Sequence, residues 1–195
     1  MGLKKIINTE DFRIGIWQIE SEIKKNDLIN LNLTKIKSEK RKKEKIAVRL
    51  LLNEMNIKSN LSYTKYGAPK IEGKHISITH SSQFVAIIIS HKKTGIDIEK
   101  ISTKALGISS KFINQRNFKN ITKEKATIIW CVKEAIFKLL ENKKLRFKDI
   151  IVEDFNVNKS GLIYARLKKC KYTLRYILID NHFLVYVCKY NELRQ

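Results

Sequence analysis

HISITHSSQFVAIIISHKKTGIDIEKI, residues 75–101, holds three short runs of strand character and two breaks. HISITH alternates apolar and polar side chains, FVAIIIS is a β-branched run, and KKTG separates it from IDIEKI. The three are expected as successive strands of one sheet. Asp97 and Glu99 stand two apart on the last, so both carboxylates leave the same face while Ile96 and Ile98 leave the other.

Upstream, LSYTKYGAPKI (61–71) contains the only proline and a glycine, which together mark a turn. Leu31 to Asn56 has apolar residues at helical spacing around the charged run SEKRKKEK, the pattern of one basic amphipathic helix. IGIWQI (14–19) has strand character. Downstream, Lys104 to Phe118 is irregularly helical, and Thr122 to Leu140 is a strong helix with an apolar stripe of Ile128, Ile129, Val132, Ile136, Leu139 and Leu140. The runs IIVEDFNV, LIYARLKK, YTLRYILID and HFLVYVCKY, parted by NKSG and DN, predict an antiparallel meander.

At 195 residues and 43% apolar content the chain can bury a core as one domain or two small subdomains. No stretch approaches the roughly 20 apolar residues of a membrane span, so a soluble cytoplasmic protein with no membrane partner is expected. Cys131, Cys170 and Cys188 lie far apart without metal-ligand spacing and are expected as small buried apolar residues. Forty Lys and Arg against nineteen Asp and Glu give a formal charge of +21, which suits a polyanionic ligand or an acidic protein surface.

Against that charge the acidic residues stand out. Asp97 and Glu99 side by side repel unless a cation pairs with them, and carboxylate oxygens are the ligands Mg2+ prefers; a solvated acidic strand face is the plainer alternative. In WCVKEAIFK (130–138), Glu134 and Lys138 share a helix face and can form a simple surface ion pair, while Trp130 and Phe137 are expected in the core. In SITHSS, His80 and neighbouring hydroxyls sit at a strand end, where they can hydrogen-bond a phosphate or serve only structure. His75, His91 and His182 have no role assigned.

Taken in order, YGAPKI, ISITHS, TGIDIEKIS and WCVKEAIFK resemble the signature of 4'-phosphopantetheinyl transferases of the Sfp type, over residues 66–138. KRKKEKIAVRLLLNEM resembles the basic helix that precedes the family's turn. The resemblance implies an α+β fold of two similar subdomains related by a pseudo-twofold, each a small antiparallel sheet packed with a long helix, 1–100 and 101–195, with coenzyme A between them. It implies Mg2+ on Asp97, Glu99 and Glu134, and transfer of phosphopantetheine from coenzyme A to a serine of an apo acyl or peptidyl carrier protein that presents an acidic recognition helix. Glu134 and Lys138 are the implied catalytic residues. His80, Ser81, Arg41, Arg49, Lys133 and Lys138 are the implied contacts to coenzyme A. A monomer that binds no nucleic acid suffices for this chemistry. The sequence departs from the family at Ala68, where a lysine is usual, and at Thr79, which replaces a serine but keeps a hydroxyl.

Two other readings share the residues. A basic nucleic-acid-binding protein accounts for the charge but leaves the three carboxylates, which repel phosphates without a metal, unexplained. A degenerate family member that binds without transferring is recommended by Ala68 alone.

Overall fold

The first long helix starts at Ser38, whose backbone is extended and whose side-chain oxygen accepts from the Arg41 N–H, satisfying one of the donors a first turn leaves open. This helix, α1 (Glu39–Glu54), concentrates charge in its first half and apolar side chains in its second. Ala47, Val48, Leu51 and Leu52, with Met55 just beyond, pack on Ile76, Val85, Ile87 and Ile89. Those partners lie on a sheet of β1 (Leu3–Asn8), β2 (Phe12–Gln18), β5 (His75–His80) and β6 (Phe84–Ser90), in the order β1-β2-β6-β5 and antiparallel throughout. Between α1 and β5, β3 (Ser62–Tyr63) pairs with β4 (Pro69–Lys70) around a turn in which Gly67 takes φ +84°. Thr64 Oγ1 accepts from the backbone N–H of both Tyr66 and Ala68 there.

The structure is a computed structural model that describes residues 2–19, 36–113, 121–142 and 144–191. Residues 31–35 of the expected basic helix and 114–118 of the expected helix after Lys104 lie outside the described residues. The chain divides into two compact units, Met1–Lys93 and Thr94–Gln195, where the sequence suggested a division near residue 100.

In the second unit the sheet runs β7-β11-β10-β9-β8, again antiparallel: β7 (Ile96–Lys100), β8 (Ile151–Val152), β9 (Ser160–Leu167), β10 (Cys170–Ile179) and β11 (His182–Asn191). Between β7 and β8 come a short helix α2 (Thr103–Gly107), a 3-10 turn at Ser109–Lys111, the long helix α3 (Lys123–Leu140) and a second 3-10 turn at Phe147–Asp149. Thr122 caps α3 by accepting from the Lys125 N–H, and Glu141 ends it in the left-handed conformation. Of the apolar stripe read from sequence, Ile128, Ile129, Val132, Ile136 and Leu139 enter the core with Ile163, Leu174, Tyr176, Phe183 and Val185; Leu140 stays half-buried against it.

Four local expectations change. IDIEK does not join HISITH and FVAIIIS in one sheet, because β6 already has β2 on one side and β5 on the other; β7 pairs with β11 instead. The pattern after Lys104 yields only a five-residue helix and a 3-10 turn within the described residues, and of IIVEDFNV only Ile151–Val152 is strand. Of the cysteines, Cys131 is buried, but Cys170 and Cys188 are only half-buried.

Candidate active site

Gly95 decides how close β7 can come to α3. A Cβ built on it would collide with the Ala135 carbonyl oxygen, so a side chain there would push strand and helix apart. Just past this contact, Asp97 lies opposite Val185 and Glu99 opposite Phe183 on β11. Val185 and Phe183 belong to the core under α3, so both carboxylates leave the sheet on the helix side, as their spacing requires. Glu134 and Lys138, one turn apart on α3, face them.

Lys138 Nζ donates to Asp97 Oδ1 at 2.7 Å and to the Ile96 carbonyl at 3.1 Å. The ion pair available to Lys138 by helical spacing, with Glu134, is thus replaced by one across to the strand. Asp97 is buried, while Glu99 and Glu134 are half-buried. Burial pushes the Glu134 carboxyl up to about 7, and the charges of Asp97 and Glu99 add to the rise while Lys138 opposes it. Burial and then Asp97 raise Glu99 as well, against Lys104, Lys138 and a hydrogen bond donated by the Trp130 indole. Beneath them the fully buried Cys131 thiol is pushed well up by desolvation and by the same acids, so it is an inert filler rather than a nucleophile.

The donor set suits a hard divalent cation: three carboxylates, two of them with a pKa raised first by burial and then by the neighbouring acids. Coulomb coupling reaches further than coordination. Among the described residues no three His, Cys, Asp or Glu side chains stand close enough together to hold a metal as placed, and one Asp97 oxygen is taken by Lys138.

The remaining expected contacts separate into two kinds. His80 ends β5 with its ring half-exposed and Nδ1 3.3 Å from Oε1 of the buried Glu44. Arg41 and Arg49 are exposed on α1, and Lys45 between them makes a cationic ridge at i, i+4 and i+8. These three remain accessible to an anion. Ser81 does not: it is buried, and its hydroxyl accepts from the Phe84 N–H to close the β5–β6 turn. Lys133 is also excluded as a phosphate contact, since it is 3% exposed and its ammonium donates to the carbonyls of Phe147 and Ile150. Its pKa falls to about 8 through desolvation, with Asp149 opposing. Lys133 anchors the segment ahead of β8.

Trp130 meets Phe112 and Phe147 at ring-centroid distances of 5.1 and 5.3 Å, and Phe137 meets Phe147 at 5.8 Å, which is the packing role expected of both. Three contributors escaped the sequence: Lys104, which reaches Glu99 from α2, the Trp130 indole on Glu99, and the steric role of Gly95. A glycine two residues ahead of paired acids was a usable signal for the last; the other two depend on how the elements pack.

No curated protein matches the chain. A family model does match part of it, over the stretch that contains GIDIE and WCVKEAIFK but neither YGAPKI, nor THS, nor the basic helix. Residues 93–188, nearly the whole of the second unit with Asp97, Glu99, Glu134 and Lys138 inside it, match the 4'-phosphopantetheinyl transferase superfamily, and in this part the chain is similar to that family of transferases.

Proposed function

We propose that the chain is a phosphopantetheinyl transferase of the Sfp type, moving the 4'-phosphopantetheine group of coenzyme A onto a serine of an apo acyl or peptidyl carrier protein, with Mg2+, as a cytoplasmic monomer. The observation that carries this reading is the convergence of Asp97, Glu99, Glu134 and Lys138 on one side of β7, inside the segment similar to the family.

In this reading Asp97, Glu99 and Glu134 are the residues that would hold Mg2+, which when bound supplies positive charge against the phosphoryl oxygens and the departing 3',5'-ADP. Lys138 holds Asp97 in place and brings a second cation to the same spot. Glu134, anchored on α3 facing Asp97 and Glu99, is also the carboxylate placed to take the proton of the attacking serine. As the serine oxygen bonds to the β-phosphorus of coenzyme A, the bond from that phosphorus to the ADP oxygen breaks. His80, Arg41 and Arg49 are the accessible residues to bind the phosphates of the nucleotide. Ala68 withholds one cation usual in the family, and Lys65 and Lys70, on the same hairpin, are the replacements at hand.

The test is intact mass of an apo carrier protein after incubation with the chain, coenzyme A and Mg2+, with a chelator control. The expected result is a gain of one phosphopantetheine that disappears with chelator. Glu134→Gln is expected to lower the transfer rate by about 100-fold or more, the lower end of what a positioned base contributes, without loss of folding. Transfer at the wild-type rate by that variant refutes the assignment of Glu134, and no transfer to any carrier type refutes the function.

A further inference from the structure

Helix α1 buries Glu44 together with Ile46, Ala47, Val48, Leu51 and Leu52, so one buried residue is charged and the rest are apolar. The Glu44 side chain is 10% exposed, and its Oε1 is buried with no hydrogen-bond partner among the described residues. Two basic groups come near: the Lys40 ammonium one turn back on α1, at 3.8 Å, and Nδ1 of His80 at the end of β5, at 3.3 Å. An unsatisfied carboxylate is costly to bury, and an apolar side chain in its place would pack without that cost. Lys40 does not account for the burial. It is 70% exposed, and an i, i+4 pair of this kind is worth little and needs no buried partner.

His80 gives the carboxylate a use. With Nδ1 towards Glu44, Nε2 is the nitrogen left for the open side of the half-exposed ring. Glu44 is also the i+3 neighbour of Arg41 and the residue before Lys45, so it sits where the buried face of α1 borders the ridge of Arg41, Lys45 and Arg49. We infer that Glu44 is a positioning residue for His80: the buried carboxylate fixes the ring through Nδ1 and so presents Nε2 to a phosphate of the nucleotide. For the identity of that ligand the inference rests on the transferase reading, which it extends to a residue that never touches the ligand.

A neutral imidazole donates from one nitrogen, an imidazolium from both. In the bound state the ring donates from Nδ1 to Glu44 and from Nε2 to the phosphate, two charge-assisted hydrogen bonds in a row. The carboxylate and the phosphate repel each other, but across the width of a ring. The cation between them is nearer to each, so attraction wins. A ring held in place before the ligand arrives also spares the entropy of ordering it on binding.

The probe is 3',5'-ADP, whose dissociation constant for the whole chain is measured by titration calorimetry. The proteins are wild type, His80→Ala, Glu44→Gln, Glu44→Met and the double variant Glu44→Met/His80→Ala. Methionine fills the space of the glutamate without a charge to bury, and matched thermal melts verify folding. Binding is expected to weaken about tenfold in His80→Ala and in Glu44→Met, and less in Glu44→Gln, whose amide oxygen still accepts from Nδ1. The double variant is expected to lie within about twofold of His80→Ala, because Glu44 acts through that ring alone. In transfer assays the KM for coenzyme A is expected to rise in step while kcat stays unchanged, the mark of lost binding rather than lost chemistry. If Glu44→Met weakens binding as much in the His80→Ala background as in wild type, Glu44 serves only the packing of α1 and the inference is overturned. Binding within about twofold of wild type by Glu44→Met or by His80→Ala overturns it too. In each of these cases the transferase reading stands if the carrier protein still gains phosphopantetheine. Coupled binding by a chain that transfers nothing supports the positioning role and refutes the transfer. A wild type that binds no 3',5'-ADP overturns the positioning role, and the mass of the carrier protein then decides the reading by itself.

Discussion

Lys138 is the residue on which the candidate site balances. Its ammonium lies among three acids and bonds directly to the most buried of them. Lys138→Met is therefore expected to lower stability by about 1–3 kcal/mol, the cost of removing a charge-assisted donor from a nearly buried carboxylate, and urea melts at pH 7 read the change. His182 is a second test at this scale. It is 0% exposed, and burial followed by the Lys100 charge lowers its pKa, with Asp180 opposing. The unfolded chain takes up a proton near the ordinary histidine value of about 6.5, while the folded imidazole resists it to lower pH. Stability is therefore lost as pH falls through about 6.5 towards the depressed folded value. The stability difference between wild type and His182→Phe is expected to shift against wild type between about pH 7.5 and 5; a difference that does not change with pH refutes this. That Asp97 and Glu99 share one face of a strand, and Glu134 and Lys138 one face of a helix, was legible because the strand and helix periods alone orient them. Ser81 and Lys133 were misread because a hydroxyl or ammonium that serves a turn or a carbonyl pair has the same letter in the sequence as one that serves a ligand.

At the scale of elements, β7 and α3 form the frame of the site, and Gly95 sets their separation. Gly95→Ala is expected to destabilise the fold by about 1–3 kcal/mol, the usual cost of overpacking, and to weaken transfer further by displacing Asp97 and Glu99 from Glu134. Gly95→Ala with wild-type stability and rate would mean that the strand does not need the close approach. The long helices were legible because their caps and apolar spacing are local: Thr122 and the stripe from Ile128 to Leu139 lie within one element. The partner of β7 was not, since it is decided by β11, more than eighty residues further along, and by the prior occupation of both edges of β6. Adjacent strands in sequence are usually neighbours in space, and here that tendency gives the wrong answer.

At the scale of the whole molecule, a formal +21 on 195 residues repels itself. The melting temperature is expected to rise as NaCl is raised from about 20 to 200 mM, because the Debye length shrinks to below the spacing of surface charges. A melting temperature that falls over this range would show that attractive pairs, such as Lys138 with Asp97, outweigh the repulsion. The order of strands and helices suggested two halves with a division near residue 100. Which unit owns the acids was not legible, because the break at KKTG is too short to mark it and the division falls at Lys93. The strand β6 carries a different consequence. All seven of its residues are buried, and FVAIIIS has no charge and no proline. Released by partial unfolding, such a run is a template for stacking with its own copies into a cross-β aggregate. Protection comes from both sides: β2, made long before it, is waiting to cover one edge, and the basic HKK that follows repels a second chain. Variants that loosen β2 are thus a solubility hazard even where they leave the carboxylates untouched.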